Sequence, residues 1–199
     1  TLDLETGRRF QREAEAVARV HHPGIVQIFD VGEHEGTHYF GMEYVPGQSL
    51  DYLIDEAQVD FETSARIVQK ASEAVHEAHR HGIIHRDLKP ENIMIGGFGE
   101  VLVVDWGLAK VRGRAEHAPE DEEELVSTNR SEAGAHATRM GQVAGTPAYM
   151  APEQARGENE RIGVGTDVYA LGAILYEILS GRPPFTGHSG MHVLQQVLS

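Results

Sequence analysis

The octapeptide His85-Arg86-Asp87-Leu88-Lys89-Pro90-Glu91-Asn92 constrains this chain more than any other stretch. Before it, residues 61–81 place Ala65, Val68, Ala71, Val75 and Ala78 on one helical face, and Gly82 closes the run. After it, two β-rich runs, 93–95 and 101–104, flank a turn containing Gly96, Gly97 and Gly99. The octapeptide is therefore a loop between a long helix and a β-turn-β unit, dense in charged and amide side chains. Thirteen residues beyond Asn92, directly after the apolar run 101–104, comes Asp105-Trp106-Gly107.

The rest of the chain divides around this centre. Residues 8–20 set Phe10, Ala14, Val17 and Val20 three and four apart, one apolar face of a helix that His22-Pro23-Gly24 stops. The β-rich runs 25–31 and 38–45, with a turn over 32–36, read as an antiparallel hairpin, and Pro46-Gly47 breaks the pattern. Helix is expected at 49–57 and again at 166–180, where Ile174, Leu175, Ile178 and Leu179 form a core stripe and Arg182-Pro183-Pro184-Phe185 ends the run. Residues 111–140 lack an apolar period and contain the run Glu120 to Glu124, which reads as a solvated surface loop. The expected architecture is α+β: a small β-containing lobe over 1–45 joined to a larger, mostly helical lobe over 46–199.

Composition removes several classes of function. The 199 residues, 40% of them hydrophobic, can bury a core and are not wholly disordered. A net charge of −14 argues against nucleic acid or an anionic membrane as the main partner. With no cysteine, disulfides, thiolate metal sites and cysteine nucleophiles are excluded, and a reducing, cytoplasmic setting fits. The most apolar run, 168–179, is short against the roughly 20 residues a membrane helix needs and reads as a core helix. No basic-then-apolar leader opens the chain. It begins at Thr1 and stops at Ser199 within an apparent helix, so it reads as a fragment of a longer protein.

The polar groups of the octapeptide and of Asp105 suit phosphoryl transfer. That reaction needs a hydroxyl aimed at the γ-phosphate, divalent metal to neutralise phosphate charge, and a cation near the transferring group. Asp87 can accept or orient the hydroxyl proton. Lys89 can reach the phosphate as a point charge. The Asn92 amide oxygen and the Asp105 carboxylate are hard oxygen ligands suited to Mg²⁺, which keeps waters and takes few protein groups beside phosphates. Gly107 lets the backbone turn sharply after Asp105.

These segments, with Gly145-Thr146-Pro147 and Ala151-Pro152-Glu153 further on, resemble the eukaryotic-type serine/threonine protein kinase family. Three motifs stand in the family's order, and the resemblance covers essentially the whole chain apart from the acidic insertion at 111–140. The resemblance implies a two-lobe fold, ATP and Mg²⁺ as cofactors, a protein substrate, and an activation segment over 105–153. It implies Asp87 as catalytic base, Lys89 on the γ-phosphate, and Asn92 and Asp105 as metal ligands. Thr146 would bond Asp87 and Lys89 and help select a Ser or Thr acceptor. Glu13 would pair the phosphate-binding lysine of strand three. Met42 would be the gatekeeper, the Glu43 carbonyl and Val45 amide would hold the adenine edge, and Met94 would form the pocket floor. Asp167 would bond the catalytic-loop backbone. Val17, Ile28, His85 and Trp106 would stack as the spine linking the lobes, with Trp106 replacing the usual Phe. Arg86 would meet a phosphate on the activation segment, where Ser127, Thr128, Ser131 and Thr138 lie and Thr138 is nearest the Gly-Thr-Pro turn.

The chain departs from the pattern in two places: no glycine-rich loop and no lysine precede Glu13. Residues 1–199 alone are therefore expected to bind ATP poorly and transfer little phosphate. The resemblance leaves room for autophosphorylation in trans within a dimer and for membrane anchoring by flanking segments. A pseudokinase or docking module, and a small-molecule phosphotransferase, are the alternative readings. The first normally loses Asp87, Asn92 or Asp105, and the second normally lacks the Ala-Pro-Glu and Gly-Thr-Pro segments, all of which are present. The acidic run could also recruit basic substrates. His76, His79 and His81, at a helix end, read as surface or dipole-satisfying residues rather than zinc ligands.

Overall fold

The computed structural model describes residues 14–34, 37–56, 59–106 and 147–199, and the backbone of 110–111. Residues 14–18 are helical, and Ala14, Val17 and Val20 are buried as their spacing requires. Strands β1 (Ile28–His34) and β2 (Thr37–Met42) form the expected antiparallel hairpin, with Ile28 opposite Met42, His34 opposite Thr37 and a bulge between Ile28 and Asp30. The first strand starts three residues later than its β-rich run. Ile25 instead makes a parallel bridge to Val103, flanked by Val103 N–H to Gly24 O (2.8 Å) and Val26 N–H to Val103 O (3.2 Å). Residues 24–26 are thereby tied to the strand that leads into Asp105.

Where Pro46-Gly47 was expected only to break the chain, Gly47–Ser49 forms strand β3. Then follow α1 (Leu50–Asp55), α2 (Phe61–Arg80), β4 (Ile83–Ile84), β5 (Ile93–Gly96), β6 (Val101–Val103), β7 (Lys110–Val111), α3 (Pro152–Ala155), α4 (Val164–Ser180) and α5 (Gly190–Val197). Strand β5 pairs antiparallel with both β3 and β6, and β4 pairs antiparallel with β7. A Cβ on Gly47 would lie 2.1 Å from the Ile95 carbonyl oxygen, so this edge of the sheet closes only on a glycine. Val111, assigned to the insertion, is the second residue of β7; residues 112–140 lie outside the described residues.

Helix α2 starts at Asp60, whose carboxylate accepts from Thr63 N–H at 2.7 Å as an N-cap. Its buried face is Ser64, Ile67, Ala71, Ala74, Val75 and Ala78, displaced from the expected one: Ala65 is exposed and Val68 half-buried. Ser64 can sit inside because its hydroxyl donates to the Asp60 carbonyl at 2.6 Å. Helix α4 packs on α2, and both supply alanines (Ala71, Ala74, Ala78, Ala170, Ala173) to one core. The expected stripe on α4 is therefore only partly right. Ile174 is buried, Leu175 and Ile178 are half-buried, and Leu179 is 50% exposed. The helix ends at Gly181, in the left-handed region at φ 73°. The apolar core runs continuously from Val17, Ile28 and Trp106 through Leu88 to Ile174, so the hairpin region and the helical region share one interior.

Candidate active site

The loop 85–92 is fixed from beneath by one carboxylate. Asp167, in the first turn of α4 and 1% exposed, accepts from His85 N–H and from Arg86 N–H, each at 2.9 Å. The expected contact to the loop backbone is present, and α2 adds a third. His79 Nε2 donates to the Asp167 carboxylate at 2.6 Å. His79 is thus not a surface histidine: its side chain is 8% exposed. The signal was in the sequence, since position 79 lies four residues beyond Val75 on the buried face. Three donors converge on this one buried carboxylate and satisfy it.

His85 is fully buried. The Asp87 N–H donates to its Nδ1 at 3.3 Å, so Nε2 carries the proton, donated to the Val104 carbonyl at 3.1 Å. The imidazole rests on the Trp106 ring, with centroids 4.5 Å apart and planes at 55°. Trp106 is 3% exposed and its indole N–H donates to the Val103 carbonyl at 3.1 Å, so the larger ring is accommodated with its polar atom bonded. The four residues of the expected stack, Val17, Ile28, His85 and Trp106, are all buried.

Above this base the polar groups converge. Lys89 Nζ lies 3.2 Å from Asp87 Oδ2, and the two side chains are only 23% and 13% exposed. Asn92 Nδ2 donates to the Asp87 carbonyl at 2.8 Å. That bond orients the amide and commits its Nδ2, not its Oδ1. Val104 N–H donates to the Asn92 carbonyl at 2.9 Å, which brings Asp105 alongside Asn92. Asp105 is exposed and sits at φ 59°, a left-handed conformation uncommon for a non-glycine residue. One oriented amide oxygen and one exposed carboxylate are a donor set that fits Mg²⁺. Among the described residues, no group of three or more His, Asp or Glu is arranged to hold a metal ion.

Of the expected adenine-side residues, Met42 ends β2, Glu43 and Val45 lie between β2 and β3, and Met94 lies in β5. Met42 and Val45 pack, half-buried, against the core. Glu43 N–H is committed to the Gln27 carbonyl at 2.9 Å. Met94, half-buried in β5, stands opposite Leu102 and Ser49. Glu13, Gly107, Thr146 and the candidate phosphorylation positions Ser127, Thr128, Ser131 and Thr138 lie outside the described residues.

The stretch around Ala151-Pro152-Glu153 is anchored by three contacts that the sequence does not signal. Gln154 Nε2 donates to the Arg86 carbonyl at 2.7 Å, Thr166 Oγ1 donates to Glu153 at 2.7 Å, and Tyr149 OH donates to Glu177 at 2.6 Å. Burial, and then the Glu177 carboxylate it faces, push the Tyr149 phenol far above the ordinary tyrosine range, so it stays a donor. Burial raises the Glu177 carboxyl, the Tyr149 bond partly opposes this, and Glu91, Asp55 and Asp51 raise it further. A carboxyl raised by folding adds stability below its ordinary value of 4.5 and loses it as pH rises through the folded value. Gln at this position keeps an acceptor for Tyr149 without titrating. Relative to wild type, Glu177→Gln should therefore gain stability as pH rises through the window just above 4.5. Urea melts across that window measure it, and a pH-independent difference would refute it.

Comparison with known proteins agrees with this geometry. The model of the protein kinase domain family matches residues 2–199. The chain is 41% identical over 186 residues to the probable serine/threonine-protein kinase PknB of Lactococcus lactis, covering 93% of the chain and 26% of that protein. It is 40% identical over 193 residues to serine/threonine-protein kinase PknB of Mycolicibacterium smegmatis, covering 94% of the chain and 28% of that protein. To the protein of the same name from Mycobacterium tuberculosis it is 38% identical over 193 residues, with coverage of 94% and 28%. The chain thus spans between a quarter and a third of the length of these relatives. A family match over nearly every residue, on a loop held by a buried α4 aspartate, leaves one conclusion: this chain belongs to the protein kinase family.

Proposed function

We propose that this chain is the catalytic part of a serine/threonine protein kinase, which moves the γ-phosphoryl group of ATP to a Ser or Thr hydroxyl of a protein. The observation that carries the reading is the convergence of Asp87, Lys89 and Asn92 on one rigid loop, with Asp105 beside them. Asp87 takes the hydroxyl proton as the new O–P bond forms and the bond from phosphorus to the β-phosphate oxygen breaks, releasing ADP. Lys89, 3.2 Å from Asp87, offsets the charge of the transferring group and holds the carboxylate in place. Asn92 and Asp105 hold Mg²⁺, which when bound neutralises phosphate charge. Met42, Glu43, Val45 and Met94 receive the adenine. Thr146 reads the acceptor and Glu13 the strand-three lysine.

Two features support a protein substrate over a small alcohol. The Ala151-Pro152-Glu153 segment is present, and it is tied to the loop through Gln154. The names of the relatives agree. The kinase domain is assigned to the cytoplasm, with flanking segments as the place for any anchor; no helix of the described residues is long and apolar enough to cross a membrane. A second copy is the natural donor for phosphorylation of the activation segment in trans.

The test is phosphate transfer from labelled ATP, with Mg²⁺, to protein substrates and to small alcohols and aminoglycosides. It is run on residues 1–199 and on the chain as the cell makes it. Transfer to protein Ser or Thr by the latter, and little by residues 1–199, is expected. Transfer to small alcohols alone, or ATP binding without transfer, would overturn the reading.

A further inference from the structure

The peptide unit joining Arg86 to Asp87 is gripped on both edges. Its N–H, from Asp87, donates to His85 Nδ1 at 3.3 Å, and its carbonyl, from Arg86, accepts from Gln154 Nε2 at 2.7 Å. The preceding peptide is held by Arg86 N–H on Asp167 at 2.9 Å. Arg86 sits at φ 72°, a conformation disfavoured for a residue with a Cβ, which persists only where neighbours over-determine it. Two of these holds come from the loop itself and from α4. The third comes from α3, which closes the activation segment.

Gln154 occupies the third position of α3, and its Oε1 accepts from Ala151 N–H at 3.2 Å, closing the helix start. A glutamate would do that equally well. Capping alone therefore does not explain an amide here. The Nε2 donor does: an ionised carboxylate in its place would set an acceptor against the Arg86 carbonyl. With both ends of the amide bonded, the side chain cannot rotate without losing a contact.

We propose that Gln154 is a positioning residue for phosphoryl transfer. By locking the 86–87 peptide it fixes the direction of the Asp87 carboxylate and couples the closing turn of the activation segment to the catalytic loop. The proposal rests on the reading of Asp87 as the base, and its test separates the two.

Gln154→Glu keeps the cap and removes the donor. In the chain as the cell makes it, Q154E should lower kcat about tenfold, the scale of one lost hydrogen bond, with the ATP KM within about twofold. Its melting temperature should fall by no more than about 4 °C. Hydrogen exchange, read on peptides spanning 83–92, should quicken about tenfold while α2 and α4 keep their protection. Gln154→Met, which loses donor and acceptor, should show the same kcat loss with a larger drop in melting temperature. Wild-type rates and exchange in Q154E would leave only a cap and overturn the proposal. If the wild type transferred no phosphate, the kinase reading would fall, and exchange at 83–92 would still decide whether Gln154 locks the loop. If Q154E lost its melting transition, Gln154→Met read by the same exchange and rate measurements would decide.

Discussion

Asp87→Asn should cut phosphoryl transfer by about 10²- to 10⁴-fold, the range for removing a general base, with little change in the fold. The side chain is close in shape to the native one, so what it loses is the ability to take a proton. The loop does not depend on that carboxylate for its shape. Its backbone is held by Asp167 on His85 and Arg86, by Gln154 on Arg86, and by Asn92 on the Asp87 carbonyl. The lost ion pair with Lys89 is partly solvent-exposed, and such pairs contribute about 1 kcal/mol or less. Initial rates with saturating ATP, beside a thermal melt, separate the two effects. A kcat unchanged within twofold would remove Asp87 from the chemistry. A large loss of melting temperature would show that the carboxylate is structural.

Asp167→Ala should do the opposite, damaging the fold first and activity as a consequence. The substitution leaves the buried His85 N–H and the half-buried Arg86 N–H without their acceptor, and strips His79 of its 2.6 Å partner. Breaking such a buried network by removing one partner costs about 3–5 kcal/mol, a large part of the roughly 5–15 kcal/mol that holds a domain together. The melting temperature should fall by about 10 °C or more, and Arg86 should relax from its left-handed backbone. His79→Ala removes one of the three donors and should cost less than half as much. Calorimetry on the two variants tests the ordering. Equal small losses would mean that the loop is held by something other than the α4 carboxylate.

How much could be read beforehand differs residue by residue, for physical reasons. The loop 85–92, the triplet at 105 and the Ala-Pro-Glu segment were legible because their chemistry is local, so side-chain type and order identify them. The hairpin and the two long helices followed from period. Their boundaries and faces moved where a tertiary partner intervened: Ile25 left the hairpin to bridge Val103, and Ser64 entered the core because its hydroxyl found the Asp60 carbonyl. Strands β3, β4 and β7 were missed because two or three residues carry no period, and each exists only through the strand it pairs with. The spacing of His79 from Val75 signals that it is buried, but nothing near it in the sequence signals its partner, a carboxylate 88 residues away.

From its sequence alone, this chain is fixed as a member of a phosphoryl-transfer family, with its candidate base, cation and metal ligands at known positions. Only the tertiary structure decided what holds those groups. Asp167 and Gln154 reach the loop from helices 68 to 82 residues further along the chain, and His79 holds Asp167 from α2. The proposed chemistry belongs to side chains close together in the sequence, whereas the grip on a strained backbone comes from donors and acceptors that only packing brings together.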